Sequence, residues 1–161
     1  MDDQLARQIL PSESPVHIRN EIATDVKPEI VWAWIVRAKL WPTWYSNSAR
    51  VAISGGGSDL QAGSTFRWKT FGVTLDSKVE EFVPFERLAW SAKATGIAAY
   101  HVWVIEPTPR GCNVRTEETQ TGWLAALNKA TRPNDMSQKH QAWLEGLLAK
   151  GRTGLPPPKP Y

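Results

Sequence analysis

Apolar and polar residues alternate along VHIRNEIAT (16–24), which sets Val16, Ile18 and Ile22 broadly on one side and predicts a half-buried first strand. Pro28 suits a first helical turn, and Ile30, Val31, Trp34, Ile35 and Ala38 recur at helical spacing, so a helix is expected that ends before Pro42. WPTWYSNS (41–48) reads as a short irregular or helical piece, ARVAIS (49–54) as a strand and SGGGSDLQAGS (54–64) as a long turn, expected to be a mobile loop near a cavity mouth. From Thr65 the period is two. Phe66 and Trp68 share a face, as do Val73, Leu75, Ser77 and Val79, with Gly72 making the hairpin between them. Leu88, Trp90 and Ala92 continue that face, followed by His101, Trp103 and Ile105, then Val114, Thr116, Glu118 and Gln120. The chain turns helical again at Trp123. A short helix is stopped by Pro133, and a second, capped by Asn134 or Asp135, carries the apolar stripe Met136, His140, Trp143, Leu144, Leu147 and Leu148. The prediction is an α+β fold in which an antiparallel sheet, dry on one face and wet on the other, receives the last helix.

The pattern divides the 161 residues into a lead-in (1–15), one ligand-binding domain (16–152) and a Pro-rich tail (153–161) expected to be disordered. Net charge is +3, with both signs interspersed, so no basic block exists to track nucleic acid. No apolar run reaches the roughly 18 residues of a membrane span, and the acidic start MDDQLARQIL does not read as a signal peptide, so a cytoplasmic protein is expected. Cys112 is the lone cysteine and excludes an internal disulfide. The unusual feature is nine tryptophans. Large flat side chains are hard to pack without gaps, and gaps beside aromatics make ligand pockets.

Five segments in order, VWAWIVRAKLWPTWYSN, AGSTFRW, VPFERLAWSA, HVWVIEPTPRGCNVRTEETQTG and WLEGLLAKG, resemble the signatures of the SRPBCC or START-like superfamily, in its polyketide cyclase/dehydrase and lipid-transport branch. The resemblance covers about residues 16–152. It implies a helix-grip (START-like) fold, a curved seven-stranded antiparallel sheet wrapped around a long C-terminal helix with a cavity between them. The superfamily holds lipid carriers, hormone receptors, aromatic cyclases and regulators of other proteins, and brings no universal catalytic residue.

If the turn at Pro109, Arg110 and Gly111 closes the last hairpin, Ile105 faces Val114, Trp103 faces Thr116 and His101 faces Glu118. The last pair has two readings: a self-satisfied polar couple that fixes the register, or a base (His101) oriented by a carboxylate (Glu118) for acid/base chemistry beside a carbonyl. Trp44 and Tyr45 are expected at the mouth; Phe66, Trp68, Trp90, Trp103, Met136, His140 and Trp143 on the walls; Ser77, Thr116 and Gln120 as placed polar groups. The histidines and the cysteine show no local ligand spacing, so neither metal nor cofactor is expected. The expected partner is a small hydrophobic or aromatic molecule, bound by a monomer or homodimer. Three functions fit: a cofactor-independent cyclase/dehydratase, a carrier or sensor, and an interaction module like the chaperone-ATPase activators, which would show a filled cavity and an exposed apolar patch.

Overall fold

Strand β1 (Val16–Thr24) follows the alternation of its sequence, and helix α1 (Pro28–Val36) opens on Pro28, whose fixed φ and missing N–H cost nothing at a helix start. These elements come from a computed structural model, which describes Ser14 and residues 16–159. The predicted lead-in lies outside the described residues apart from Ser14. α1 buries Val31, Trp32, Trp34, Ile35 and Val36, so it is apolar nearly all round and is covered on more than one side. It ends earlier than Pro42 requires. A separate 3-10 turn (Ala38–Thr43) runs through Pro42 and carries Trp41 inward, its indole N–H donating to Ile35 O at 2.9 Å.

Six more strands follow: β2 (Ser48–Ile53), β3 (Thr65–Thr70), β4 (Val73–Val83), β5 (Arg87–Ala94), β6 (Ile97–Thr108) and β7 (Gly111–Thr121). All pair antiparallel in the order β1-β7-β6-β5-β4-β3-β2, so the first strand closes against the last. The β3–β4 hairpin turns on Phe71 and Gly72, both with positive φ (50° and 76°), as a tight two-residue turn requires and as glycine tolerates without strain. Between β6 and β7 the expected register is found, with His101 opposite Glu118, Trp103 opposite Thr116 and Ile105 opposite Val114.

Helix α2 (Trp123–Thr131) buries only Ala125, and α3 (Asp135–Arg152) lays His140, Trp143, Leu144, Leu147 and Leu148 on the sheet's inner face. Close seating of α3 depends on Gly146, where an added Cβ would stand 2.5 Å from Trp44 O. The architecture is the helix-grip fold that the sequence implied. Among the described residues no helix is long and apolar enough to cross a membrane.

Two segments expected to be loose make specific contacts with the domain. The Gly-rich segment is pinned at its end, because Leu60 is buried, its N–H donates to Val36 O at 2.7 Å, and Asp59 pairs with Arg37 at 2.5 Å. The Pro-rich segment, expected to be disordered, is tied down through Lys159: Trp34 donates to Gly154 O at 2.8 Å, Arg37 to Pro157 O at 2.7 Å, and Lys159 pairs with Asp59 at 2.9 Å. Both segments are held by α1 and by each other.

Cys112 is fully buried and donates to Val26 O at 3.2 Å, and burial pushes its thiol up to about 11. The native protein is therefore expected to give no reaction with a thiol reagent at neutral pH and one equivalent after denaturation. Rapid labelling of the folded chain would contradict this placement.

Candidate ligand site and the buried histidine–carboxylate cluster

The inner face of the sheet presents large rings on three of its strands: Phe66 and Trp68 from β3, Trp90 from β5, His101 and Trp103 from β6. Into the space between sheet and α3 come Trp143 from the helix and Trp41 from the 3-10 turn. Trp41 stacks on Trp90 (5.5 Å between ring centres) and meets Trp68 and Trp143 edge-on (5.2 and 5.3 Å). Trp143 stacks on Tyr45 at 4.6 Å and stands edge-on to Trp103 at 5.1 Å. The rings therefore pack on one another where an open cavity was expected. Tyr45 is inside this cluster and not at a mouth, and Trp44 lies against Gly146 of α3. Ser77 accepts the Trp68 indole N–H at 3.2 Å. Trp41 is the participant that sequence patterning missed, since it sits in a non-periodic stretch before a proline.

Behind the rings lies a polar cluster. His101 Nδ1 is 2.8 Å from Glu118 Oε2, and His140 Nε2 reaches the same oxygen at 3.0 Å. Gln120 Nε2 donates to Glu118 Oε1 at 2.6 Å, and Thr116 Oγ1 is 2.8 Å from His101 Nε2. An ionised carboxylate only accepts, so His101 carries its proton on Nδ1 and accepts a hydrogen bond from the Thr116 hydroxyl on Nε2. Burial pushes the His101 imidazole down to about 4, even though the Glu118 hydrogen bond and charge pull the other way. Burial also raises the Glu118 carboxyl, but hydrogen bonds and charge from His101 and His140 outweigh it and hold the group well below the usual carboxylate range. Trp90 stacks flat on the His101 ring, 4.5 Å away and 1° from parallel. Among the described residues His140 Nδ1 has no hydrogen-bond partner.

A hollow of about 140 Å³ opens where β1, the β3–β4 hairpin and the start of β6 meet α2 and the first turn of α3. Val16, Ile18, Leu75, Ile97, Ala125 and Met136 give it an apolar wall, and Lys129 and Arg132 stand on its rim. Of the candidate ligand residues, Met136 and Gln120 line it, and Gln120 joins it to Glu118. Glu118 stands behind Gln120, His101 and His140 behind Glu118, and Thr116 behind His101, none of them lining the hollow. The contribution of α2 went unnoticed because only Ala125 of that helix is buried, too little to stand out as a periodic stripe.

A family model described as polyketide cyclase / dehydrase and lipid transport matches residues 15–152. No curated protein matches the chain in sequence. Among solved structures, a Helicobacter pylori protein described as hypothetical, jhp0584, is 30% identical, with a TM-score of 0.82 over 89% of this chain and 92% of that one. The di-domain aromatase/cyclase StfQ from the steffimycin biosynthetic pathway is similar at 15% identity and a TM-score of 0.69, over 86% of this chain and 51% of that one. Ara h 8.0201 is similar at 12% identity and a TM-score of 0.66, over 86% of this chain and 99% of that one. The last two likenesses concern the fold alone.

Proposed function

The chain belongs to the polyketide cyclase/dehydrase and lipid transport family, and from that premise we propose that it carries or senses one small apolar molecule bearing a single hydrogen-bonding group. The supporting observation is the hollow, whose wall is largely apolar and is faced by two buried polar side chains, the Gln120 amide and Thr70, whose hydroxyl already accepts a hydrogen bond from Asn47. Glu118 uses one N–H of that amide, and an amide offers a second N–H and a carbonyl oxygen besides. Size sets the class of ligand. A dry cavity of about 150 Å³ accepts one benzene-sized ring, whereas drug-sized ligands occupy roughly 300–1,000 Å³. At about 140 Å³ the hollow suits one ring or a short branched chain, with any remainder passing out between Lys129 and Arg132.

The same magnitudes weigh against a cyclase acting on a folded polyketide. Packed indoles occupy the space such a substrate needs, and both nitrogens of His101 are engaged, by Glu118 and by Thr116. In this arrangement His101, 2% exposed and hydrogen-bonded at both nitrogens, presents no free lone pair to a substrate, which favours the carrier reading.

Binding of single-ring probes such as phenol and toluene, followed by ligand-observed NMR, tests the reading. Wild type is expected to bind them, and Met136→Trp, which fills the hollow from its edge, to abolish binding. Absence of binding in wild type, or equal binding in Met136→Trp, rules the proposal out. A second reading, as an interaction module, is favoured by Trp123 and Leu127, 66% and 51% exposed and one turn apart on α2. Trp123→Ser separates the two. The carrier reading expects unchanged probe binding; the interaction reading expects loss of a self-associated species in size-exclusion chromatography.

A further inference from the structure

Three residues with no local spacing in sequence, His101 on β6, Glu118 on β7 and His140 on α3, bring their ligating atoms within 4.8 Å of one another, all buried. We propose that this cluster is a binding site for one first-row divalent metal ion of the zinc class, with His101 Nδ1, His140 Nε2 and the Glu118 carboxylate as ligands. The reading is independent of the apolar ligand proposed above.

Spacing is the first argument. Ligands held about 2.1 Å from an ion stand about 3.0 Å apart along an octahedral edge and about 3.4 Å apart along a tetrahedral one. The two nitrogens stand 2.8 and 3.0 Å from Glu118 Oε2 and all three ligating atoms lie within 4.8 Å of one another, so side-chain rotation that draws the two imidazoles toward a common centre admits an ion. Support from outside the three ligands is the second argument. Metal-binding imidazoles are oriented by a partner on the far nitrogen, and ligating carboxylates by a hydrogen bond on the far oxygen. With a metal on Nδ1 the His101 proton sits on Nε2 and the Thr116 hydroxyl rotates to accept it; Gln120 holds the far oxygen of Glu118 and Trp90 the His101 ring plane, while His140 Nδ1 has no such partner among the described residues.

Charge is the third. A carboxylate buried among rings calls for a compensating cation, and its hydrogen-bond partners are two imidazoles and an amide. Two imidazoles and a carboxylate form a donor set that zinc and iron(II) accept and that the harder calcium and magnesium do not prefer. Gln120 lines the hollow and holds Glu118, so it stands between the cluster and the side from which an ion would approach.

The test is titration of the chelator-stripped full chain with zinc, by calorimetry, and with cobalt(II), by visible absorption and X-ray absorption. One equivalent of each is expected, with two imidazoles in the cobalt shell. Thr116→Val, which spares all three ligands, is expected to weaken zinc about 10- to 100-fold. His140→Ala should abolish stoichiometric binding, and His17→Ala, which removes the partly exposed His17–Glu117 pair (3.5 Å), should leave it unchanged. Failure of the wild type to take up one equivalent overturns the proposal, as does a cobalt shell with fewer than two imidazoles. Because the wild-type spectrum counts the imidazoles directly, the outcome stands even if a variant misfolds.

Discussion

Trp143→Ala is expected to lower the free energy of unfolding by about 3–5 kcal/mol, the range found when a buried aromatic is cut back to alanine. Trp143 is 2% exposed and touches rings from four different parts of the chain: Tyr45, Trp68, Trp90 and Trp103. These neighbours hold each other as well as Trp143, so they cannot collapse freely into the space an absent indole leaves, and such sites lie at the costly end of the range. Domains of this size are stabilised by only about 5–15 kcal/mol, so the variant should melt far lower or fail to fold at ordinary temperature. Trp123→Ala supplies the contrast. That indole is 66% exposed, and its removal should change stability by no more than about 0.5 kcal/mol. Urea unfolding of both variants measures the difference. If Trp143→Ala folds, free indole should raise its midpoint by refilling the space. A midpoint within experimental error of wild type would mean that the ring cluster does not hold sheet and helix together.

The same cluster shows what the sequence made legible. Period two gave the faces of β3, β5, β6 and β7, and the turn at Pro109 and Arg110 set the register that puts His101 opposite Glu118. Those are local signals: a slip of one residue in a strand would turn every inward side chain of that strand to water. Whether inward-facing rings leave a void or fill it is not local. It depends on how closely α3 approaches, which turns on Gly146 against the Trp44 backbone, and on Trp41, delivered from a 3-10 turn. Neither carries a periodic signature. His140 was legible as part of the α3 stripe, yet its meeting with Glu118 arises only when the helix is docked across β7. The loop around Leu60 and the segment 153–159 looked mobile because their composition is poor in apolar residues; their anchors are one buried leucine and hydrogen bonds to distant backbone.

The second large effect belongs to Glu118. Replacing it with leucine keeps much of the volume but removes the acceptor for His101, His140 and Gln120 together, leaving two imidazole N–H groups and an amide N–H without partners in a dry site. Breaking a buried polar pair from one side costs about 3–5 kcal/mol, because the desolvation of the remaining partners goes uncompensated. Glu118→Leu should therefore rival Trp143→Ala in urea unfolding. The informative experiment adds the partners. In Glu118→Leu combined with His101→Phe and His140→Leu, the two imidazole donors are gone and only the Gln120 amide and the Thr116 hydroxyl remain polar, and apolar replacements of buried ionic groups are often neutral. The combined variant should regain most of the lost stability, giving a coupling of about 2 kcal/mol or more. Trp90, stacked flat on His101, can keep its contact with a phenyl ring. If the three substitutions merely add, the cluster acts as separate side chains; if the combined variant recovers, the carboxylate and its two imidazoles form one cooperative unit.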